Sequence, residues 1–215
     1  MYPSWRLSIF IGSQVFGALS VFFVLSTVVT GQKKSRDMQW HSVLMTLSTV
    51  YLIGSSVTIY RGLPWLKMFK LKLFHGLIHL AALLLAIAGV VLAFDFHDNI
   101  PLSHLISLHS IFGLIAVILL GLQWITGLLF FLHPKIPVRV DKHAVPSHAT
   151  AGLIIFLLGC ANALIGLNEY TKGAERTDKV MLATASGFFI FIFMLLVLHL
   201  IMKDTFKREP LSDDK

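Results

Sequence analysis

Four histidines stand where histidines are expensive. His41 in QWHSVLM, His75 in KLFHGLIHL, His109 in SLHSIFG and His148 in PSHATAG each head a long apolar run, and an ionisable side chain at the edge of hydrocarbon marks a functional site by default. Neutral imidazole is a good ligand for iron, and an iron with two axial histidines keeps no open position, which suits electron transfer better than oxygen chemistry. The four residues therefore suggest two bis-histidine sites, each for a flat, bulky ligand of the haem type. Zinc would want three or four ligands gathered at one point, and a proton relay is the other competing reading.

The positions that share each histidine's helical face, at about 100° per residue, are small. His79, Ala82, Ala86 and Ala93 lie below His75; Gly152, Gly159 and Gly166 below His148. Gly113 and Gly127, with Gln123 nearby, lie below His109, and Ser48 and Ser55 below His41. Such stripes leave room for a disc-shaped ligand, although small residues also let membrane helices approach one another closely.

The elements that must carry these residues follow from composition. With 56% apolar residues, 13% charged residues and a mean hydropathy of +0.78, the chain reads as a polytopic membrane protein. Six runs reach the roughly 20 residues that a hydrocarbon layer of about 30 Å demands: Arg6 to Thr30, His41 to Tyr60, Leu73 to Phe94, Leu105 to Leu132, Ser147 to Leu167 and Val180 to Met202. The first has only Arg6 before it and no small-x-small cleavage site, so a retained span is expected and not a removed signal. Short loops without linkers or low-complexity tracts predict one all-α bundle over residues 1–215, its spans two to five forming a central four-helix core. The single cysteine, Cys160, lies inside the fifth span, which leaves no disulfide framework and no motif for covalent haem attachment.

Most of the 18 Lys and Arg residues fall in the loops after spans two and four and in the C-terminal tail. The positive-inside rule then puts both termini in the cytoplasm. Topology accounts for the net charge of +7, so nothing points to nucleic acid. In this orientation His41 and His109 open helices that enter from the outer side, and His75 and His148 open helices that enter from the cytoplasm. Each pair can meet at one level of the membrane. His79 reads as a hydrogen-bonding neighbour in the pocket of His75. His104, His133 and His143 read as solvated, and His199 has no partner that the sequence reveals.

These residues resemble the eukaryotic cytochrome b561 proteins. The resemblance is carried by FHGLIHLAALLLAIAGVVLAFDFH, by SLHSIFG, by QWITGLLFFLHP and by SHATAGLIIFLLGCANALIGLNE. It implies six helices, two non-covalent b haems, and transfer of electrons from ascorbate across a membrane. By the resemblance the haem ligands pair as His41 with His109 and His75 with His148, and His97 matches a histidine of the outer substrate site. Arg61 and Lys72 match positions that bind ascorbate on the cytoplasmic side. Relatives carry a second lysine where this chain has Met68, between Lys67 and Lys70, and an arginine where it has Asp141, between Arg139 and Lys142. Lys70, Arg139 and Lys142 are the candidates to make those contacts. The usual His-Pro opening of span two reads His41-Ser42 here.

The expected activity is an ascorbate-dependent transmembrane oxidoreductase that delivers electrons to monodehydroascorbate or a ferric chelate. Its expected location is an endomembrane vesicle, a lysosomal or vacuolar membrane, or the plasma membrane. Relatives are often dimers, so the resemblance also implies a homodimer. The rival readings are a histidine-dependent metal or proton transporter and a helical scaffold without cofactor. A transporter should show broken helices or charges at mid-membrane, and no Asp, Glu, Lys or Arg lies in any span interior.

Overall fold

The computed structural model describes residues 4–30, 35–100, 103–132, 143–172 and 178–207. His133, Lys135, Arg139, Asp141 and Lys142 lie outside the described residues. The described residues form six long helices: α1 (Ser4–Thr30), α2 (Arg36–Gly62), α3 (Met68–Asp98), α4 (Leu108–Leu132), α5 (Ala144–Thr171) and α6 (Asp178–Met202). All six are long and apolar enough to cross a membrane. Arg6 at the start of α1, Arg61 at the end of α2 and Phe206 after α6 meet at one end of the bundle. We call this the tail end and the opposite one the far end.

Helices α2 to α5 pack around a centre, α2 on α3, α3 on α4, α4 on α5, and α5 back on α2, while α1 and α6 pair with each other along the outside. Val50, Ile53, Phe156, Cys160, Ile190 and Phe193 form the buried apolar core. Gly54 lets α6 press on α2, since a Cβ there would lie 2.5 Å from the Phe193 ring. The polarity is that of a protein in lipid. Ser13, Ser20, Thr27, Ser48, Ser56, Thr58 and Ser186 are buried, whereas Ile11, Val15, Phe22, Leu84, Ile87, Ile118, Leu122 and Leu195 are exposed. Hydrocarbon around the bundle satisfies the apolar side chains and leaves polar groups to find partners inside. Most of the buried hydroxyls do so on their own helices, as when Thr27 donates to the Phe23 carbonyl at 2.7 Å, whereas Ser56 reaches across to His75.

Two local features differ from the regular spans expected. Helix α2 widens to a π-helix over Thr46–Leu52, where Thr46 donates to the Ser42 carbonyl and Thr49 to the Met45 carbonyl. Hydroxyls that bond back to their own helix bend it. The widened turn is also where α5 crosses, for a Cβ on Gly159 would lie 2.9 Å from the Thr49 carbonyl oxygen. The second feature is the start of α4. Leu105 has φ 55°, outside the right-handed helix, and Ser107 closes a capping box with Ser110. Helix α4 therefore begins at Leu108 rather than at Leu105, and His109 becomes its second residue.

Candidate functional site

The fold brings the four span-head histidines together as two pairs at opposite ends of the core. His41 of α2 and His109 of α4 face each other at the far end, ring centres 6.1 Å apart and planes at 85°. His75 of α3 and His148 of α5 do the same at the tail end, at 6.3 Å and 63°.

Polar groups of a neighbouring helix, two carbonyls and a hydroxyl, orient three of the rings. His41 Nδ1 is 2.8 Å from the Gly89 carbonyl oxygen and His109 Nδ1 is 3.1 Å from that of Asn162. In the tautomer this favours, each Nδ1–H donates and each Nε2 keeps its lone pair free for a metal. The Ser56 hydroxyl donates to the His75 carbonyl at 3.2 Å, which leaves its oxygen to accept from His75 Nδ1 at 3.1 Å. The His148 ring lies edge-on to Phe131, and Gln123 Nε2 holds the carbonyl of His148 at 2.6 Å.

Glycines clear the space beside two of the rings, and they come from the neighbouring helix. A Cβ on Gly166 of α5 would lie 2.6 Å from Cε1 of His109 on α4. Reciprocally, a Cβ on Gly127 of α4 would lie 3.0 Å from Cε1 of His148 on α5. Because α4 and α5 run in opposite directions, the glycine near the end of each helix faces the histidine near the start of the other. Gly113 faces Asn162, Gly152 faces Gln123 and Gly159 faces Thr49, so the stripes read along each helix serve its neighbours.

A cavity of about 370 Å³ surrounds the far-end pair, and His41, Met45, Ala93, His97, His104, His109, Gly113, Asn162 and Gly166 are among its lining residues. Its size is that of a small-molecule or cofactor pocket. His97, at the end of α3, thus opens into the same cavity as the histidine pair, with Nδ1 on the Ser103 carbonyl at 3.3 Å. His104, expected to be solvated, is exposed and stands at the mouth. It stacks on Phe94 with ring centres 4.8 Å apart and its Nε2 donates to Asp98 at 2.8 Å. Its only sequence signal is an aspartate six residues earlier, within a loop whose path the sequence does not reveal.

At the tail end Lys70 and Lys72 ride on the first turns of α3, because that helix starts at Met68 and not at Leu73. Lys70 is exposed and Lys72 half-buried, about one turn ahead of His75. Arg61 is turned elsewhere. Its Nη2 donates to the Ile201 carbonyl at the end of α6 at 3.1 Å, and its Nη1 is buried without a partner among the described residues. His79 is buried with its ring centre 4.4 Å from that of His75.

The donor sets suit a metal held between two imidazoles. Two metal–nitrogen bonds of roughly 2 Å, each extended by roughly 1 Å to the ring centre, put the centres roughly 6 Å apart, which is what both pairs show. Among the described residues no group of three or more His, Cys, Asp or Glu could hold a metal ion, so the sets are pairs and not the triads or tetrads of zinc. The cavity about the far pair fits a flat macrocycle around such an iron.

Residues 40–172 match the family described as eukaryotic cytochrome b561. The chain is 32% identical over 181 residues to the transmembrane ascorbate-dependent reductase CYB561 of Sus scrofa, spanning 81% of this chain and 71% of that protein. It is 32% identical over 201 residues to the plasma membrane ascorbate-dependent reductase CYBRD1 of Xenopus laevis, spanning 89% and 71% of the two chains. It is also 32% identical over 189 residues to the lysosomal membrane ascorbate-dependent ferrireductase CYB561A3 of Bos taurus, spanning 80% and 69%.

Proposed function

The chain belongs to the eukaryotic cytochrome b561 family, and from that membership we propose that it is an ascorbate-dependent transmembrane oxidoreductase built as a single six-helix domain. Ascorbate binds at the tail end, on the cytoplasmic side, and the electron leaves at the far end to monodehydroascorbate or a ferric chelate. The observation that carries this reading is the pair of imidazole clamps, 6.1 and 6.3 Å between ring centres, at opposite ends of one four-helix core.

His75 with His148 and His41 with His109 would hold two b haems. Bis-histidine haem takes up and gives back single electrons without opening a coordination position, and two such sites divide a hydrocarbon layer of about 30 Å into shorter hops. The protein's part is orientation and potential. The carbonyls of Gly89 and Asn162 and the hydroxyl of Ser56 fix the tautomers and ring planes of His41, His109 and His75.

Ascorbate is an anion at neutral pH, so cations at the tail-end mouth attract and orient it. Lys72, half-buried one turn before His75, is the principal donor, with Lys70 beside it and Arg139 and Lys142, between α4 and α5 in the sequence, contributing further charge. Arg61 adds positive potential from its seat against α6. At the far end His97 opens into the cavity of the His41 and His109 pair and donates to the departing acceptor. With both termini in a negative cytoplasm, moving one electron outward across the full membrane gains about 2.3 kcal/mol per 100 mV. The relatives named for plasma and lysosomal membranes support one of those membranes or a related vesicle as the location.

The test is reconstitution in vesicles loaded with ascorbate, with ferric chelate added outside. The protein should contain two haems per chain and reduce external iron, and Lys72→Ala should slow haem reduction by ascorbate but not by a small neutral reductant. His97→Ala should lose iron reduction while its haems still reduce normally. A haem content near one per chain would overturn the pairing, and equal slowing with both reductants would remove Lys72 from the ascorbate site.

A further inference from the structure

Two adjacent residues of α4 reach both helices that carry the tail-end histidines. Gln123 Nε2 donates to the carbonyl of His148 on α5 at 2.6 Å, and Trp124 Nε1 donates to the carbonyl of Gly76, the residue after His75 on α3, at 2.9 Å. Consecutive helical residues point about 100° apart, close to the right angle between the two neighbours of a corner helix in a four-helix core. Donors at successive positions therefore face α3 and α5 at once.

Neither carbonyl needs a side chain, because each lies inside a helix where the main-chain N–H four residues on takes it. Leucine and phenylalanine would fill the places of Gln123 and Trp124 without adding N–H groups that hydrocarbon cannot satisfy. A tryptophan at a membrane interface commonly offers its N–H to the wet side, whereas Trp124 spends its own on α3. The position of the two helices supplies a reason. Helices α3 and α5 stand diagonally across the core, so the span between His75 and His148 depends on the helices that flank both. Ser56 of α2 holds His75, and α4 bonds to the ligand-bearing segments on both sides.

We infer that Gln123 and Trp124 are positioning residues of the tail-end site, which fix the separation and relative rotation of the His75 and His148 rings by tying both ligand-bearing segments to one helix. The inference rests on the two-haem reading above. The ring planes stand at 63°, and the low-spin resonance of a ferric bis-imidazole haem depends on the angle between its axial rings. Loosening either tie lets one ring turn or withdraw, which alters that resonance and weakens the hold on the near haem.

The test compares the parent with Gln123→Met and Trp124→Phe, which keep most of the volume and remove one donor each. The signal missing from His75→Ala identifies the near haem. In both variants the near haem's low-spin electron paramagnetic resonance should shift, and its transfer to added apomyoglobin should quicken roughly tenfold, the usual cost of losing a partner that orients a metal ligand. The far haem should keep its parental signal. Ile125→Ala, at a position 49% exposed on the same helix, should leave both haems unchanged. Parental near-haem signal and transfer rate in both variants would overturn the inference and leave the two-haem reading intact. Equal disturbance of both haems, or failure of both variants to fold, would also overturn it, since the pair would then serve the bundle and not the site. If only Trp124→Phe fails to fold, Gln123→Met decides alone. Fewer than two haems in the parent would instead defeat the two-haem reading.

Discussion

In the proposed function the chemistry rests on imidazoles whose rings are already oriented by their surroundings. His41 and His109 each direct Nδ1 at a carbonyl of a neighbouring helix, Gly89 of α3 and Asn162 of α5, so the ring that would meet iron is already turned. If the pairs act as clamps, His41→Ala or His109→Ala should lower haem content from two per chain to one by removing the far haem only. His75→Ala or His148→Ala should remove only the near one. A pyridine haemochrome assay counts the haems, and a redox titration shows which was lost. The glycines set a graded second test. A Cβ at Gly166 would stand 2.6 Å from His109, one at Gly127 would stand 3.0 Å from His148, and one at Gly76 would meet nothing within 4 Å. The first cannot be accommodated unless the ring moves, so Gly166→Ala should disturb the far haem's low-spin resonance or lose that haem. Gly127→Ala should act more weakly on the near haem, and Gly76→Ala should leave both spectra unchanged.

Helices hold these residues in place by contacts at their ends. Arg6, 2% exposed, sends its Nε to the Arg61 carbonyl at 2.6 Å and its Nη2 to the Phe206 carbonyl, with the Trp5 ring edge-on to Phe206. One side chain at the start of α1 thereby closes the end of α2 and anchors the turn after α6, and Arg61 repeats the device on the Ile201 carbonyl. Hydrogen bonds to charged groups contribute about 1.5–3 kcal/mol each, so Arg6→Leu, which breaks two, should cost a few kcal/mol. A lower melting temperature in detergent and faster proteolysis of the tail would show it. Haem content should be unchanged, because the four clamping histidines lie on α2 to α5. The same view assigns Arg61 a second duty as the bolt between α2 and α6, in addition to any influence on ascorbate.

Across the whole molecule, an apolar belt faces outward while Trp5 and Trp65 stand exposed at the tail end and Trp40 at the far end, the pattern of aromatic residues at membrane interfaces. The proposed direction of electron flow rests on the positive-inside bias, which would put the tail end in the cytoplasm. The lone cysteine makes the orientation easy to check, since Cys160 is 0% exposed in the core and offers no background to a water-soluble maleimide. Lys207→Cys and Lys172→Cys put single thiols at exposed positions on opposite ends. In sealed cells an impermeant maleimide should label Lys172→Cys from the non-cytoplasmic side and reach Lys207→Cys only after permeabilisation. The reverse pattern would invert the proposed direction.

How much of this was legible beforehand depended on how local each cause is. Hydrocarbon demands long unbroken apolar runs, so the six spans could be read directly, and a histidine at the head of a span is conspicuous wherever it stands. Depth followed from counting crossings, which is enough to say that His41 shares a level with His109 and His75 with His148. What packs against a side chain is a different kind of fact. Gly166 serves His109 and Gly127 serves His148 because α4 and α5 lie antiparallel in contact, and no periodicity along one helix reports its neighbour. The acceptors at Gly89 and Asn162 are main-chain carbonyls, which every residue possesses and no side chain advertises. The capping box and left-handed Leu105 moved the start of α4, and hydroxyls bonding back to α2 accompany a π-helix that an apolar pattern cannot signal. His104 came to the cavity mouth only through the loop's path onto Phe94 and Asp98. Residue type and order along the chain therefore determined the membrane class, the number of spans and the candidate ligands. Tertiary structure alone decided which groups touch, because contacts between helices depend on their relative placement and phase.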